Sequence, residues 1–183
     1  MIIDNFLKDP VLINDFWNKY IMQGQIKMCL KNTSHSTDPI PDSFTSLLPD
    51  RDFLLPLIHD LKIKLDQNYI DRKKIKIKRW HINIHPTGYD GSIHKDNEEE
   101  CPTFLYCLCP SWNPDWGGEF IIFDQNKEAI KAFSFKPDRM IIFNGSELHR
   151  GVAPTRLSSL LRVTIAFHTE LLENEEKNDT NSR

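Results

Sequence analysis

Three side chains in the C-terminal half have the types and order of a metal centre. In "GSIHKDNEEE", residues 91 to 100, His94 and Asp96 stand two apart, after the extended run "IKIKRWHINIH". Alternate residues of a strand point to the same face, so an imidazole and a carboxylate are offered to one point in space. Downstream, "NGSELHRG" supplies His149 just past the apolar strand "RMIIF", at the start of a turn. Two imidazoles and one carboxylate form a facial set that leaves coordination positions open and suits non-haem Fe(II). An HxD pair alone is a weak signal, and the rest of the half must support it.

Support comes from "RVTIAFH", an alternating strand in which Arg162, Thr164, Ala166 and His168 face one side and Val163, Ile165 and Phe167 the other. An inward arginine needs an anionic partner, because an unpaired buried charge is costly. A dicarboxylate cosubstrate would supply one. Arg156 is the rival, but it lies in the turn-like "APTRLSS". The strand before the HxD pair alternates as well, with Arg79, His81, Asn83 and His85 in a polar row and Trp80, Ile82 and Ile84 in an apolar one. By pattern alone that polar row reads equally well as a solvated face.

The series HxD, "WGGEF", "LHRG" and "RVTIAF", over roughly residues 75 to 170, resembles the prolyl 4-hydroxylase-like branch of the Fe(II)/2-oxoglutarate-dependent dioxygenases. The leading "IIDNFLKDP" also looks like the start of such proteins. The resemblance implies a double-stranded β-helix, a cupin-like jelly-roll barrel, with iron on His94, Asp96 and His149 and 2-oxoglutarate anchored by Arg162. A guanidinium forks onto a carboxylate through two parallel hydrogen bonds, which fits that role. It further implies that the glycines of "GGEFIIF" make a turn and that the strand opened by Phe120 lines the cosubstrate pocket. Where this family commonly has a tyrosine on the cosubstrate, this chain has His85, with Tyr106 and Tyr89 as alternatives. Arg79, His81, Asn83 and His168 become candidate substrate contacts. His168 matches neither the tryptophan of peptidyl prolyl hydroxylases nor the second arginine of nucleic-acid demethylases. The implied reaction uses O2, releases succinate and CO2, hydroxylates an unactivated C–H bond, and brings in ascorbate as a candidate accessory reductant. A prolyl residue in a peptide is the expected substrate. A free amino acid, a nucleic-acid base, or a cupin-like metal-binding module without turnover are the alternatives.

The elements that must position these residues are legible in outline. Asp9 and Pro10 suit a helix cap and first turn, and apolar spacing predicts a leading helix over 8–30. The Ser, Thr, Asp and Pro of residues 31 to 50 predict a long loop, of the kind that closes over sites. A second helix is expected over 51–69. Strands follow in "KIKIKRWHINIH", "TFLYCL", "GEFIIFD", "RMIIFN" and "LLRVTIAFH", separated by turn material. Helices first and strands afterwards give an α+β chain with supporting N-terminal helices. The expected organisation is one domain over 1–172 and a polar, disordered tail over 173–183.

The remaining features are ordinary. A chain of 183 residues with 39% hydrophobic and 27% charged residues and a net charge of -3 is a typical globular composition, and nucleic acid is not an expected partner. No leader or membrane span is readable at the start, so a cytoplasmic protein is expected. Cys29, Cys101, Cys107 and Cys109 contain no CxxC spacing and read as reduced, mostly buried thiols. Lysine alternating with isoleucine in "DRKKIKIKR" reads as a charged edge strand. Trp112 and Trp116 fit a substrate rim or plain packing equally.

Overall fold

The computed structural model describes residues 1–23, 27–31, 43–47, 55–70 and 74–172. Its strands are β1 (Ile2–Ile3), β2 (Lys27–Lys31), β3 (Ser43–Leu47), β4 (Ile75–His85), β5 (Pro102–Leu108), β6 (Phe120–Phe123), β7 (Ala129–Phe133), β8 (Arg139–Asn144), β9 (Leu148–Gly151) and β10 (Arg162–Leu171). Seven form one sheet in the order β1-β8-β5-β10-β4-β3-β2, and a smaller sheet runs β7-β6-β9. Every recorded strand pair is antiparallel. The sheets meet through rings such as Phe120 on β6 and Phe143 on β8, whose centroids are 4.6 Å apart. This is the double-stranded β-helix expected from the sequence.

The other face of the large sheet carries the helices. Helix α1 (Pro10–Phe16) starts at Asp9, whose Oδ1 accepts a 2.9 Å hydrogen bond from the Leu12 N–H, with Pro10 in the first turn where no N–H is needed. Helix α2 (Leu55–Leu65) turns Leu57, Leu61 and Leu65 inward at four-residue spacing, and all three are buried. Each helix runs on into a π-helical segment, Trp17–Met22 and Asp66–Ile70. Phe6 and Tyr69, from the chain flanking these helices, pack near Tyr106 and Phe104 of β5. The N-terminus is tied down by β1 pairing with β8 and by Asp4, which meets Arg139 at 2.7 Å and Lys136 at 2.9 Å. Those two cations hold the Asp4 carboxyl down at about 2.

Several expectations are corrected. The leading helix ends at Met22, and residues 27–31 are strand β2. Part of the predicted loop, residues 43–47, is strand β3, which pairs with β2 and joins the sheet through Phe44 opposite Ile84 and Thr45 opposite Asn83. A polar segment becomes a strand when a neighbouring strand supplies its hydrogen bonds, which local composition does not report. For the same reason His149 is not in a turn but inside β9, paired with β6. By sheet order β4 is interior, but its lysine-rich half, where the sequence suggests an edge, lies away from the recorded β3 pairs, with Lys76 and Lys78 each 3.2 Å from Glu170. The rest of the 31–50 loop and the 173–183 tail fall outside the described residues. Cys101, Cys107 and Cys109 are buried free thiols, as expected. Burial pushes Cys107 and Cys109 up to about 11 and about 12. No helix among the described residues is long and apolar enough to cross a membrane.

Candidate metal and cosubstrate site

Ladder register decides which side chains share the cleft between the sheets. Arg162, Thr164, Ala166 and His168 of β10 stand opposite His85, Asn83, His81 and Arg79 of β4, so the two polar rows lie side by side. On the other flank, Thr164, Ala166 and His168 face Cys107, Leu105 and Thr103 of β5. The polar row of β4 is therefore not simply a solvated face: His81 and Asn83 line the cleft, while Arg79 is exposed.

His94, Asp96 and His149 come together at the cleft, with one ligand atom from each lying within 4.8 Å of the others. Both His94 Nε2 and His149 Nε2 are 3.5 Å from Asp96 Oδ1. Their backbones are stitched across the barrel, His94 N–H to His149 O at 3.0 Å, His149 N–H to His94 O at 2.9 Å, and Asp96 N–H to Gly145 O at 2.8 Å. Each imidazole also directs its Nδ1 to a carbonyl two residues earlier, His94 to Ser92 at 2.9 Å and His149 to Glu147 at 2.8 Å. A proton on Nδ1 satisfies that contact and leaves the Nε2 lone pair for a cation, the arrangement that orients metal-binding histidines. Burial raises the Asp96 carboxyl, but the imidazoles of His149 and His94 that face it outweigh this and hold the group well below the usual carboxylate range. Phe120 and Phe143 wall His149, with ring centroids 5.3 and 4.6 Å away. The donor set is thus two imidazole nitrogens and one carboxylate oxygen, chemistry that fits Fe(II).

The second part of the site is built around Arg162, which is 2% exposed. Its Nε donates to Gly118 O at 2.8 Å, its guanidinium lies over the Phe135 ring at 5.3 Å, and no carboxylate among the described residues is paired with it. Burial pushes the guanidinium down to about 10. Two glycines make room for it. A Cβ on Gly151 would sit 3.0 Å from Nη1 and 3.1 Å from Nη2, and a Cβ on Gly118, whose φ is +82°, would sit 3.3 Å from the arginine Cδ and 3.0 Å from Trp112. Gly118 of "WGGEF" and Gly151 of "LHRG" therefore serve one arginine, beyond making turns. Beside it the buried hydroxyl of Thr164 has no hydrogen-bond partner. A buried cation without an anion next to an unsatisfied hydroxyl is the pair that a carboxylate would complete. The residues present fit 2-oxoglutarate.

Other expected contacts are redistributed. Phe120 lines the cleft. His85 shares the face of Arg162, but its Nδ1 is 3.0 Å from the Tyr89 carbonyl and the ring is not part of the cleft lining. Tyr106 is a correction. It stands opposite Ile165, on the helix side of the sheet, and its hydroxyl donates to Asp138 Oδ1 at 3.0 Å. The two oxygens of Asp138 also accept the Leu7 and Lys8 N–H groups, so Tyr106 helps fasten the N-terminal segment. Its phenol is raised far above its usual range by burial and by Asp138. Tyr106→Phe should lower stability by about 1.5–3 kcal/mol, the value of a hydrogen bond to a charged group, and leave 2-oxoglutarate affinity unchanged; melting curves with and without 2-oxoglutarate separate the two effects. Tyr89 is 40% exposed and Arg156 is exposed, and neither lines the cleft. Trp112 is a packing residue, its Nε1 donating to Gly117 O at 3.0 Å and its ring edge-on to Phe135 at 4.5 Å. The sequence reading missed Thr103, Leu105 and Phe143 as cleft residues; for the first two the signal was their alternation in β5, which lacks a polar row to mark its inward side.

Comparison with known proteins agrees with this geometry. Residues 79–169 match the family model of the 2OG-Fe(II) oxygenase superfamily. No curated protein matches the sequence significantly. Among solved structures, the chain is similar to a prolyl hydroxylase from Trichoplax adhaerens, in complex with a hypoxia inducible factor oxygen degradation domain peptide fragment, with 19% identity and a TM-score of 0.68 over 92% of this chain and 82% of that one. It is also similar to the viral collagen prolyl hydroxylase of Paramecium Bursaria Chlorella virus-1 in its 2-oxoglutarate complex, with 17% identity and a TM-score of 0.62 over 93% and 95% of the two chains. A third similar structure is HygX from Streptomyces hygroscopicus with nickel and 2-oxoglutarate bound, with 11% identity and a TM-score of 0.62 over 93% and 82%. At these identities the structures speak for the fold, and the family match over the strands that carry the site speaks for the chemistry. The chain belongs to the 2OG-Fe(II) oxygenase superfamily and is an Fe(II)- and 2-oxoglutarate-dependent oxygenase.

Proposed function

We propose that His94, Asp96 and His149 hold the Fe(II), that Arg162 and Thr164 receive the distal carboxylate of 2-oxoglutarate, and that the enzyme hydroxylates a prolyl residue in an extended peptide, releasing succinate and CO2. The observation that carries the cosubstrate assignment is the buried guanidinium of Arg162, unpaired with any carboxylate among the described residues and in the same cleft as three converging ligand atoms. Bound iron supplies the redox chemistry with O2 that no side chain can. The chain's own contribution is positional. The Nδ1 contacts aim two imidazoles, Arg162 orients the ketoacid by a two-pronged contact, and Phe120 and Phe143 keep the His149 side of the cleft dry.

The substrate side is the row climbing β4 from Asn83 through His81 to the exposed Arg79. These groups offer donors and acceptors to a backbone laid across the opening. Similarity to prolyl hydroxylases, one of them with its peptide bound, supports a prolyl substrate. Proline-rich peptides also arrive preorganised, which lowers the ordering cost of binding. Proline-rich peptides, free proline and methylated oligonucleotides are to be offered in parallel, reading substrate-stimulated succinate release and the gain of one oxygen by mass spectrometry. Stimulation by the peptides, with the oxygen on a prolyl ring, is expected; inert peptides beside an active amino acid or oligonucleotide would refute the prolyl assignment.

A further inference from the structure

One polar side chain in the cleft has no task in the scheme above. His168 is 2% exposed, and neither of its ring nitrogens has a hydrogen-bond partner. Burying an imidazole with both nitrogens unsatisfied is costly unless something nearby repays it. The nearest charged group is Asp96, whose two oxygens face different ways. Oδ1 is the atom 3.5 Å from both His94 Nε2 and His149 Nε2, whereas Oδ2 lies 3.5 Å from His168 Nδ1. That distance is long for a hydrogen bond, and the arrangement leaves Oδ2 as the acceptor the ring is offered.

Two features hold the ring in this place. It stacks on His81, with centroids 4.9 Å apart and planes inclined by 16°. The β10–β4 register also shifts immediately after it, between His168 and Thr169. Irregularities of this kind re-aim side chains next to functional sites. Thr103, across the ladder on β5, makes no hydrogen bond to the imidazole.

We infer that His168 is a positioning residue for the metal site: its Nδ1–H holds the outer oxygen of Asp96, so that the carboxylate presents Oδ1 alone to the ion and leaves the remaining coordination positions to the cosubstrate and O2. The inference rests on the metal assignment of the preceding section and departs from the sequence reading of His168 as a substrate contact. A carboxylate freed from this restraint can rotate and take the ion with both oxygens, occupying a position that the reaction needs.

The test uses Co(II) as the probe, without 2-oxoglutarate, and a matched pair of variants. His168→Asn keeps a donor near the place of Nδ1; His168→Leu has nearly the same shape and no donor. Both open the same space, so a packing loss is common to the two and cancels in their comparison. His168→Leu should weaken Co(II) binding about 10- to 100-fold, as removal of such outer partners does, and change the visible Co(II) absorption, while His168→Asn stays near the wild type. In the unaltered protein loaded with Zn(II), nitrogen NMR of labelled histidine should find the His168 proton on Nδ1. Equal Co(II) affinity and spectra in the Leu and Asn variants, or a proton on Nε2, would overturn the role of His168 alone. A wild type that binds no Co(II) would overturn the metal assignment and this inference with it.

Discussion

Replacing any one of His94, Asp96 and His149 by alanine is expected to abolish tight Fe(II) binding and succinate production while the fold survives. The first half follows from convergence: with one ligand gone, two donors remain where the site was built from three. The second half follows from what the substitutions leave untouched. The segment bearing His94 and Asp96 is held by main-chain hydrogen bonds to His149 and Gly145, and truncating a side chain removes none of them. Asp96→Ala is the most informative of the three, because it removes the only carboxylate of the set. Metal titration, single-turnover succinate assays and thermal melts of the three variants check the expectation together. Wild-type succinate production in all three would remove iron from this site; Zn(II) and Co(II) should bind to the wild type and inhibit it, since affinity order does not favour iron over them.

Arg162→Ala should raise the 2-oxoglutarate requirement sharply. Truncating one partner of a buried charge pair costs about 2–5 kcal/mol, which corresponds to roughly a 30-fold to few-thousand-fold loss of affinity. The unliganded protein behaves differently. There Arg162 is a desolvated cation without a carboxylate among the described residues, so its removal relieves that cost while opening a cavity, and the two partly offset. The sign of the variant should therefore appear mainly in the rise of melting temperature on adding 2-oxoglutarate, large in the wild type and nearly absent in Arg162→Ala. Arg162→Lys should recover little, because an ammonium cannot fork onto a carboxylate. Arg156→Ala, at an exposed turn position, should leave the titration unchanged. The opposite ranking of Arg156 and Arg162 would transfer the anchor.

How far the residues themselves carried this picture differs from element to element. The alternation of "RVTIAFH" and "IKRWHINIH" was enough to assign which of their side chains share a face, because each strand has a polar row to set against an apolar one, and the ladder pairs those rows with each other. The same argument fails in "TFLYCL". Strand β5 lies between β8 and β10 and is buried on both faces. Its apolar run contains nothing to tell inward from outward, and the resemblance that offers Tyr106 as a cosubstrate contact does not supply the register, which puts it against the helices.

The proposed ligands and anchor were legible for a different reason: the order of HxD, "WGGEF", "LHRG" and "RVTIAF" carries the family resemblance, and it points to His94, Asp96, His149 and Arg162. What only the tertiary structure decided was everything made between distant segments. Strand β9 exists because β6 supplies its hydrogen bonds, and β3 because β2 and β4 do, although the local composition of both reads as turn or loop. Gly118 and Gly151 acquire their meaning from an arginine that lies 44 residues beyond the first, where a methyl group would meet it. The place of His168 against the outer oxygen of Asp96 is of the same kind, since a strand's period tells which way a side chain points and the packing of other strands determines what it meets.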